Sequence, residues 1–234
     1  LLGCFIKVFV QVEWGRYTIL TGRSSLQALN ELPGPRLRVS WAVWLWFGMF
    51  VGTFFQLSGM LTALGSLMAP EGRPWAHRAC ALLAAASVAG LLLLGRYRLV
   101  ERASTLMVAG FTLSTVLALA LIQGTRWAVQ PGELASGFAF RFGDDFLTAF
   151  GAFAITGVGA AELVFYPIWL LEKGYARGAG PPDGTPAWEA RARGWIRVMT
   201  VDAWASMAIY TVATAAFYLL GAAVLHRDGL RVSD

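Results

Sequence analysis

Charge is scarce in this chain. Charged residues fill 14% of its 234 positions, against roughly 25% in an average soluble domain, a shortage that excludes a soluble enzyme, a nucleic-acid-binding module and a disordered region. Cysteine and histidine are scarcer still, at two each. Cys4 and Cys80 lie inside apolar runs with no CxxC or Cys/His spacing, so they read as small buried hydrophobes. His77 stands beside Arg78 with no partner at ligand spacing, which argues against a metal role for it. No GxSxG, no HExxH and no paired histidine occurs, and Gly157-Val-Gly is followed by no Lys-Ser/Thr that would make a phosphate cradle. The expectation is that the protein is not an enzyme and needs no cofactor. The chain opens Leu1-Leu2-Gly3-Cys4 without a basic stretch ahead of it, so no signal peptide begins here. It is expected to be incomplete at both ends.

Apolar bulk is what the chain has instead. Hydrophobic residues make up 57%, with ten Trp and fifteen Phe, and the mean hydropathy is +0.58. Six runs are long enough to cross a bilayer core, which takes about 20 apolar residues. They cover roughly 1–20, 40–68, 75–95, 99–123, 146–171 and 196–225. Their periodicity is weak, as for helices apolar nearly all round, and the ten-residue alternation of barrel strands is missing. Breakers fall between them: Pro33-Gly34-Pro35, Pro70 to Pro74, Gly95, Pro131-Gly132 and the long Gly178 to Pro186 loop. The fold class read from this is all-α, a polytopic membrane protein with six transmembrane helices in a single domain over 1–234.

The net charge of +5 reads as topology, because all but two of the cations are Arg set in short loops. Alternating connections place 12 Lys and Arg on one side, from Arg16 to Arg38, Arg96 to Arg102 and Lys173 to Arg197. The other side receives 6, at Arg73, Arg78, Arg126, Arg141, Arg227 and Arg231. The richer side is assigned to the cytoplasm. The first segment then enters from outside, and a cytoplasmic N-terminus of the intact protein requires an odd number of helices before it.

Ionisable groups within the runs ask for a reason, since each costs about 2.5–3.5 kcal/mol or more at mid-membrane. Glu162 is the deepest, preceded by Gly157 and Gly159 and followed by Pro167. Gly pairs and Pro loosen the helical ladder and free carbonyls that could coordinate a cation, the arrangement expected of a transporter's midplane ion site. A kinked packing helix with Glu162 bonded to a polar neighbour is the alternative. The candidate metal-ligating set is Glu162 with the backbone of Gly157, Gly159, Ala160 and Ala161. Tyr166, Asp202 and Lys7 are weaker candidates for a transport role. Asp202 lies close to Arg191, Arg193 and Arg197 and could pair with a cation. Glu13 and Arg16 are spaced for an intrahelical ion pair. Lys7 and Gln11 share one face that must look inward, and Lys7 could serve as a counter-charge in a proton or ion route. Asp144 and Asp145 precede the fifth segment as capping candidates.

Several runs resemble Nramp-type metal-ion transporters. Gly15-Arg16-Tyr-Thr-Ile-Leu-Thr21-Gly22-Arg23 looks like the Arg-rich end of that family's second helix, Gly157 to Trp169 is similar to its sixth, and the basic stretch with Asp202 resembles the start of its seventh. Phe5-Ile-Lys-Val-Phe-Val-Gln-Val-Glu13, Gly157-Val-Gly-Ala-Ala-Glu-Leu163 with Tyr166-Pro167, and Leu171-Glu-Lys-Gly-Tyr175 look like a divergent bacterial branch. The resemblance implies a partial leucine-transporter-like inverted-repeat fold, second through seventh helix, in a bacterial inner membrane. It implies a secondary transporter of a divalent cation of the Mn, Fe or Mg kind, working by alternating access, with protons as a candidate coupling ion. Where that family carries Met-Pro-His, this chain has Ala161-Glu162-Leu163. A hard carboxylate in place of a thioether suits Mg²⁺ or Mn²⁺. A same-fold carrier of a small organic solute and a non-transporting membrane protein are the competing readings. The expected partners are the lipid bilayer and the cation, with no nucleic acid.

Overall fold

Long apolar runs become long helices here, because a backbone in lipid has only its own carbonyls to bond. The computed structural model describes residues 2–70, 73–94, 97–137, 150–151, 153, 156 and 158–226. In chain order its helices are α1 (Leu2–Thr21), α2 (Ser25–Glu31), α3 (Trp41–Met68), α4 (Pro74–Leu93), α5 (Tyr97–Ile122), α6 (Pro131–Gly137), α7 (Ala160–Glu172), α8 (Tyr175–Ala179) and α9 (Pro186–Gly221), which ends in a wider turn at Ala222–His226. The described strands are the two-residue antiparallel pair β1 (Arg36–Leu37) and β2 (Val39–Ser40).

Four of the described helices are long and apolar enough to cross a membrane: Trp41–Met68, Trp75–Leu93, Leu99–Ile122 and Pro186–Val224. Large side chains on them stay uncovered by protein, among them Phe55, Leu67, Leu93 and Leu113, as lipid-facing surfaces require. The protein is therefore an all-α, multi-pass membrane protein. The other two expected spans differ for identifiable reasons. α1 carries Lys7, Glu13 and Arg16 within its 20 residues. Among the described residues the continuous helix of the fifth run is α7, 13 residues long, about 20 Å at 1.5 Å per residue and too short to span alone.

Packing divides the chain into two compact units, residues 32–109 and residues 1–31 with 110–234. In the first, α3 lies against α4. A Cβ on Gly65 would sit 2.4 Å from the His77 carbonyl oxygen, so only glycine lets these two backbones approach so closely. Ser40 caps α3 by accepting from the Ala42 amide. The indoles of Trp41 and Trp44 donate to the carbonyls of Pro33 and Leu37, at 3.2 and 3.0 Å, and fasten the short hairpin to the helix start.

In the second unit α1 packs against α9, α7 and α8. Buried Ile19, Leu170, Ala179, Ala192 and Met199 form its core, with Val12, Tyr166, Trp188 and Trp195 partly buried around them. Met199 meets Gly15, Trp204 meets Phe5 and Phe9 edge-on, and the Tyr210 hydroxyl donates to the Cys4 carbonyl. Residue numbers fall on α1 as they rise on α9, so the two run antiparallel. α7 runs alongside α1 in the same direction, with Thr156 beside Lys7 and Leu170 beside Gly15.

Candidate ion site

The site begins where a helix does not. Phe150, Gly151 and Phe153 are helical, the chain bends at Thr156 and Val158, and Gly159 is extended before α7 starts at Ala160. Glycine-flanked backbone has little to hold it in a helix. Pro167 by contrast sits inside α7 without ending it. It has no N–H for the Leu163 carbonyl, and beside that gap the buried Ser25 hydroxyl of α2 donates to the Val164 carbonyl.

Glu162 stands in the first turn of α7, and its carboxylate accepts the Gly159 amide. That bond satisfies one of the unpaired N–H groups of a helix start, and the negative charge suits the helix dipole there. Facing the interruption from α1 is Lys7. Only 9% of it is exposed. Its ammonium donates to the Thr156 carbonyl at 2.8 Å and the Phe153 carbonyl at 3.3 Å, lies 6.0 Å from the Phe153 ring centre, and is within electrostatic reach of Glu162.

Further along α1, Gln11 and Thr18 continue the buried stripe that Lys7 starts. Gln11 lies beside the Tyr166 hydroxyl of α7. Gln11 Oε1, Thr18 Oγ1 and Tyr166 Oη have no hydrogen-bond partner among the described residues, an uncommon state for buried polar atoms. Asp202 of α9, which also acts electrostatically on Tyr166, pairs with Lys173 at the end of α7, 3.7 Å away. Among the described residues no three His, Cys, Asp or Glu side chains cluster as a metal would need. Oxygen donors for a cation would thus be one carboxylate and backbone carbonyls. That is a hard set.

The chain's full length, residues 1–234, matches a family model described as natural resistance-associated macrophage protein-like, Nramp. The chain belongs to the Nramp-like family. No curated protein and no solved structure matches it significantly. Nramp proteins are transporters, in general of divalent metals, and not enzymes; the metal is cargo, and no cofactor is called for.

The structure brings four of the expected residues of this Nramp-like chain to one helix start: Gly159, Ala160, Ala161 and Glu162. Gly157 lies outside the described residues, as do Asp144 and Asp145. Lys7 is brought to the same place from the far end of the chain, while Tyr166 and Asp202 stand further along α7 and α9. Glu13 and Arg16 form their intrahelical pair at 3.4 Å. Sequence reasoning missed Thr18 and Lys173. Thr18 was detectable as the continuation of the Lys7, Gln11 stripe at helical spacing; nothing local marked Lys173 as the partner of Asp202.

Proposed function

We propose that this chain forms part of a secondary transporter that carries a divalent cation of the Mn²⁺, Fe²⁺ or Mg²⁺ kind across a bacterial inner membrane by alternating access. The observation that carries the reading is the interruption ahead of Glu162. It puts a carboxylate and backbone carbonyls at one point of a membrane helix, where regular structure would leave no acceptor free. In this reading residues 1–234 are one transmembrane domain with six spans, the second to seventh of an inverted-repeat fold. α1 is its first span, and α7 is half of a discontinuous fifth.

Glu162 with the backbone of Gly157, Gly159, Ala160 and Ala161 would bind the ion. The Glu162 carboxylate can swing from the Gly159 amide to the cation at the cost of one hydrogen bond. Gln11, Thr18 and Tyr166, whose buried oxygens lack partners among the described residues, would line the way from that point toward Asp202 and Lys173 and offer oxygens to water or a proton in transit. Mn²⁺ uptake into proteoliposomes under an inward proton gradient tests the reading. With Glu162→Gln, uptake should fall at least about tenfold, the equivalent of one lost charge-assisted contact. Unchanged uptake with unchanged pH dependence removes Glu162 from the mechanism.

A further inference from the structure

Lys7 is an expensive residue to keep where it is. The ammonium of a lysine that is nine-tenths covered by protein must recover its lost hydration from groups around it. It recovers it from backbone: the Thr156 and Phe153 carbonyls, with the π face of Phe153 and the Glu162 carboxylate nearby. Carbonyl oxygens and one carboxylate are what a small free cation takes as ligands. Lysine suits the place because its ammonium is a compact point charge on a long thin stem, whereas a guanidinium is broad and flat. The fit is built from both sides. Gly3, one turn before Lys7, has no side chain, and a Cβ there would lie 3.2 Å from the same Phe153 carbonyl oxygen and 3.3 Å from its ring. That missing atom lets α1 come close enough for the ammonium to reach the interruption. Cys4, between them on the helix, is fully buried and free.

We propose that the interrupted stretch ahead of α7 is a cation-binding site which Lys7 fills from within the chain, so that any free cation entering it takes the place of the ammonium. The inference rests on the ion-site reading above for what the free cation is, but not for the existence of the site. Two positive charges cannot share so small a set of oxygens. The tether therefore competes with the ion, and shifts it toward release when the ammonium returns. A merely structural lysine, clipping unpaired carbonyls, predicts no such competition.

The experiment measures thermal unfolding of the purified protein in detergent, as wild type, Lys7→Ala, Lys7→Met, Lys7→Arg and Glu162→Gln, against added propylammonium, tetramethylammonium or Mn²⁺. Lys7→Ala should be destabilised and recover with propylammonium, which can donate to the carbonyls, and not with tetramethylammonium, which has no N–H. Lys7→Met should bind Mn²⁺ roughly tenfold or more tightly than wild type, since removing the adjacent like charge relieves repulsion. Lys7→Arg keeps the charge and should not gain that affinity. If Lys7→Ala does not fold, its folded yield on expression with propylammonium in the medium is read instead. Indifference of Lys7→Ala to propylammonium, or equal response to both amines, overturns the proposal. Measurable Mn²⁺ binding of equal affinity in wild type and Lys7→Met overturns it as well, while leaving the metal reading intact. Selective rescue by propylammonium with no Mn²⁺ response in any variant upholds the site, and it is then the metal reading that fails.

Discussion

At Gly178 a Cβ would lie 2.3 Å from Cε2 of Trp195 and 2.4 Å from its Nε1, and at Gly15 one would lie 2.7 Å from the Met199 sulfur and 3.1 Å from Leu170 Cδ1. Both glycines sit in helices, so alanine brings each a propensity gain of about 1 kcal/mol. The neighbours decide the difference. An indole is rigid, and α8 is also tied to α9 by the Trp188 indole donating to the Gly180 carbonyl and by the Arg191 guanidinium donating to Ala179. A thioether end turns aside cheaply. Gly178→Ala should therefore lower stability by about 1–3 kcal/mol net, the usual cost of overpacking, with Gly15→Ala within about 1 kcal/mol of wild type. Thermal unfolding in detergent checks the order; equal losses would show that the Trp195 contact yields as readily as the thioether. At this scale the sequence was partly legible. Glu162 and Gly159 announce themselves, because an acid and a glycine pair in an apolar run have few other reasons to be there. Lys7 announces only that it must face inward. Its acceptors lie 146 and 149 residues away in the chain, and no local spacing carries that information.

Helix α9 owes its start to three neighbours in sequence. The Thr185 hydroxyl oxygen accepts the Trp188 amide at 3.1 Å, Pro186 occupies the first turn, and Asp183 accepts both the hydroxyl and the amide of Thr185 at 2.7 and 2.9 Å. Those bonds, the hydroxyl's foremost, with a smaller contribution from nearby Arg191, hold the Asp183 carboxyl below the usual carboxylate range. A depressed folded-state value means that the charged form stabilises the fold above the unfolded value near pH 3.9, and that this contribution is lost as pH falls through the folded value. Thr185→Ala should cost about 1 kcal/mol at pH 7. The gap in melting temperature between wild type and Asp183→Asn should be widest near neutral pH and close as the medium is acidified below about pH 4. A gap independent of pH would sever the cap from the carboxylate. The start of α9 also shows where pattern reading stops. Apolarity marks 196–225 but not the ten residues before it, which carry exposed Arg191 and Arg193 and meet the core only through Trp188, Ala192 and Trp195, although Thr185-Pro186 is a helix-start signature in its own right. The runs at 40–68, 75–95 and 99–123 were legible almost to the residue, since lipid imposes one answer on a long apolar run. α2 and α8 were not, being short segments whose helical form depends on packing against α7 and α9.

Over the whole molecule, the distribution of Arg sets an expectation that no single contact can. α9 has 36 residues and is about 54 Å long, against a hydrocarbon core of about 30 Å. Its first turns, with exposed Arg191, Arg193 and Arg197, must therefore lie in water on one side. The charge count puts that side in the cytoplasm together with the loop around Arg36 and Arg38, and puts the connection around Arg126 opposite. Single cysteines at Pro182, Leu32 and Gly124, in a background where Cys4 and Cys80 are replaced by alanine, report the arrangement, as all three positions are exposed. A membrane-impermeant maleimide added to intact cells should label the Gly124 site alone, and the other two only after lysis. Labelling of the Pro182 site in intact cells would invert the topology, and with it the direction in which Lys7 returning to its carbonyls would expel an ion. Sidedness and mechanism are joined at that point. Gln11, Thr18 and Tyr166 extend from Lys7 toward the end of α7 where Asp202 meets Lys173, so their oxygens, which lack hydrogen-bond partners among the described residues, lead toward the charge-rich face. In the proposed mechanism, an ion released along them would reach the cytoplasm only if the arginines have been read with the right sign.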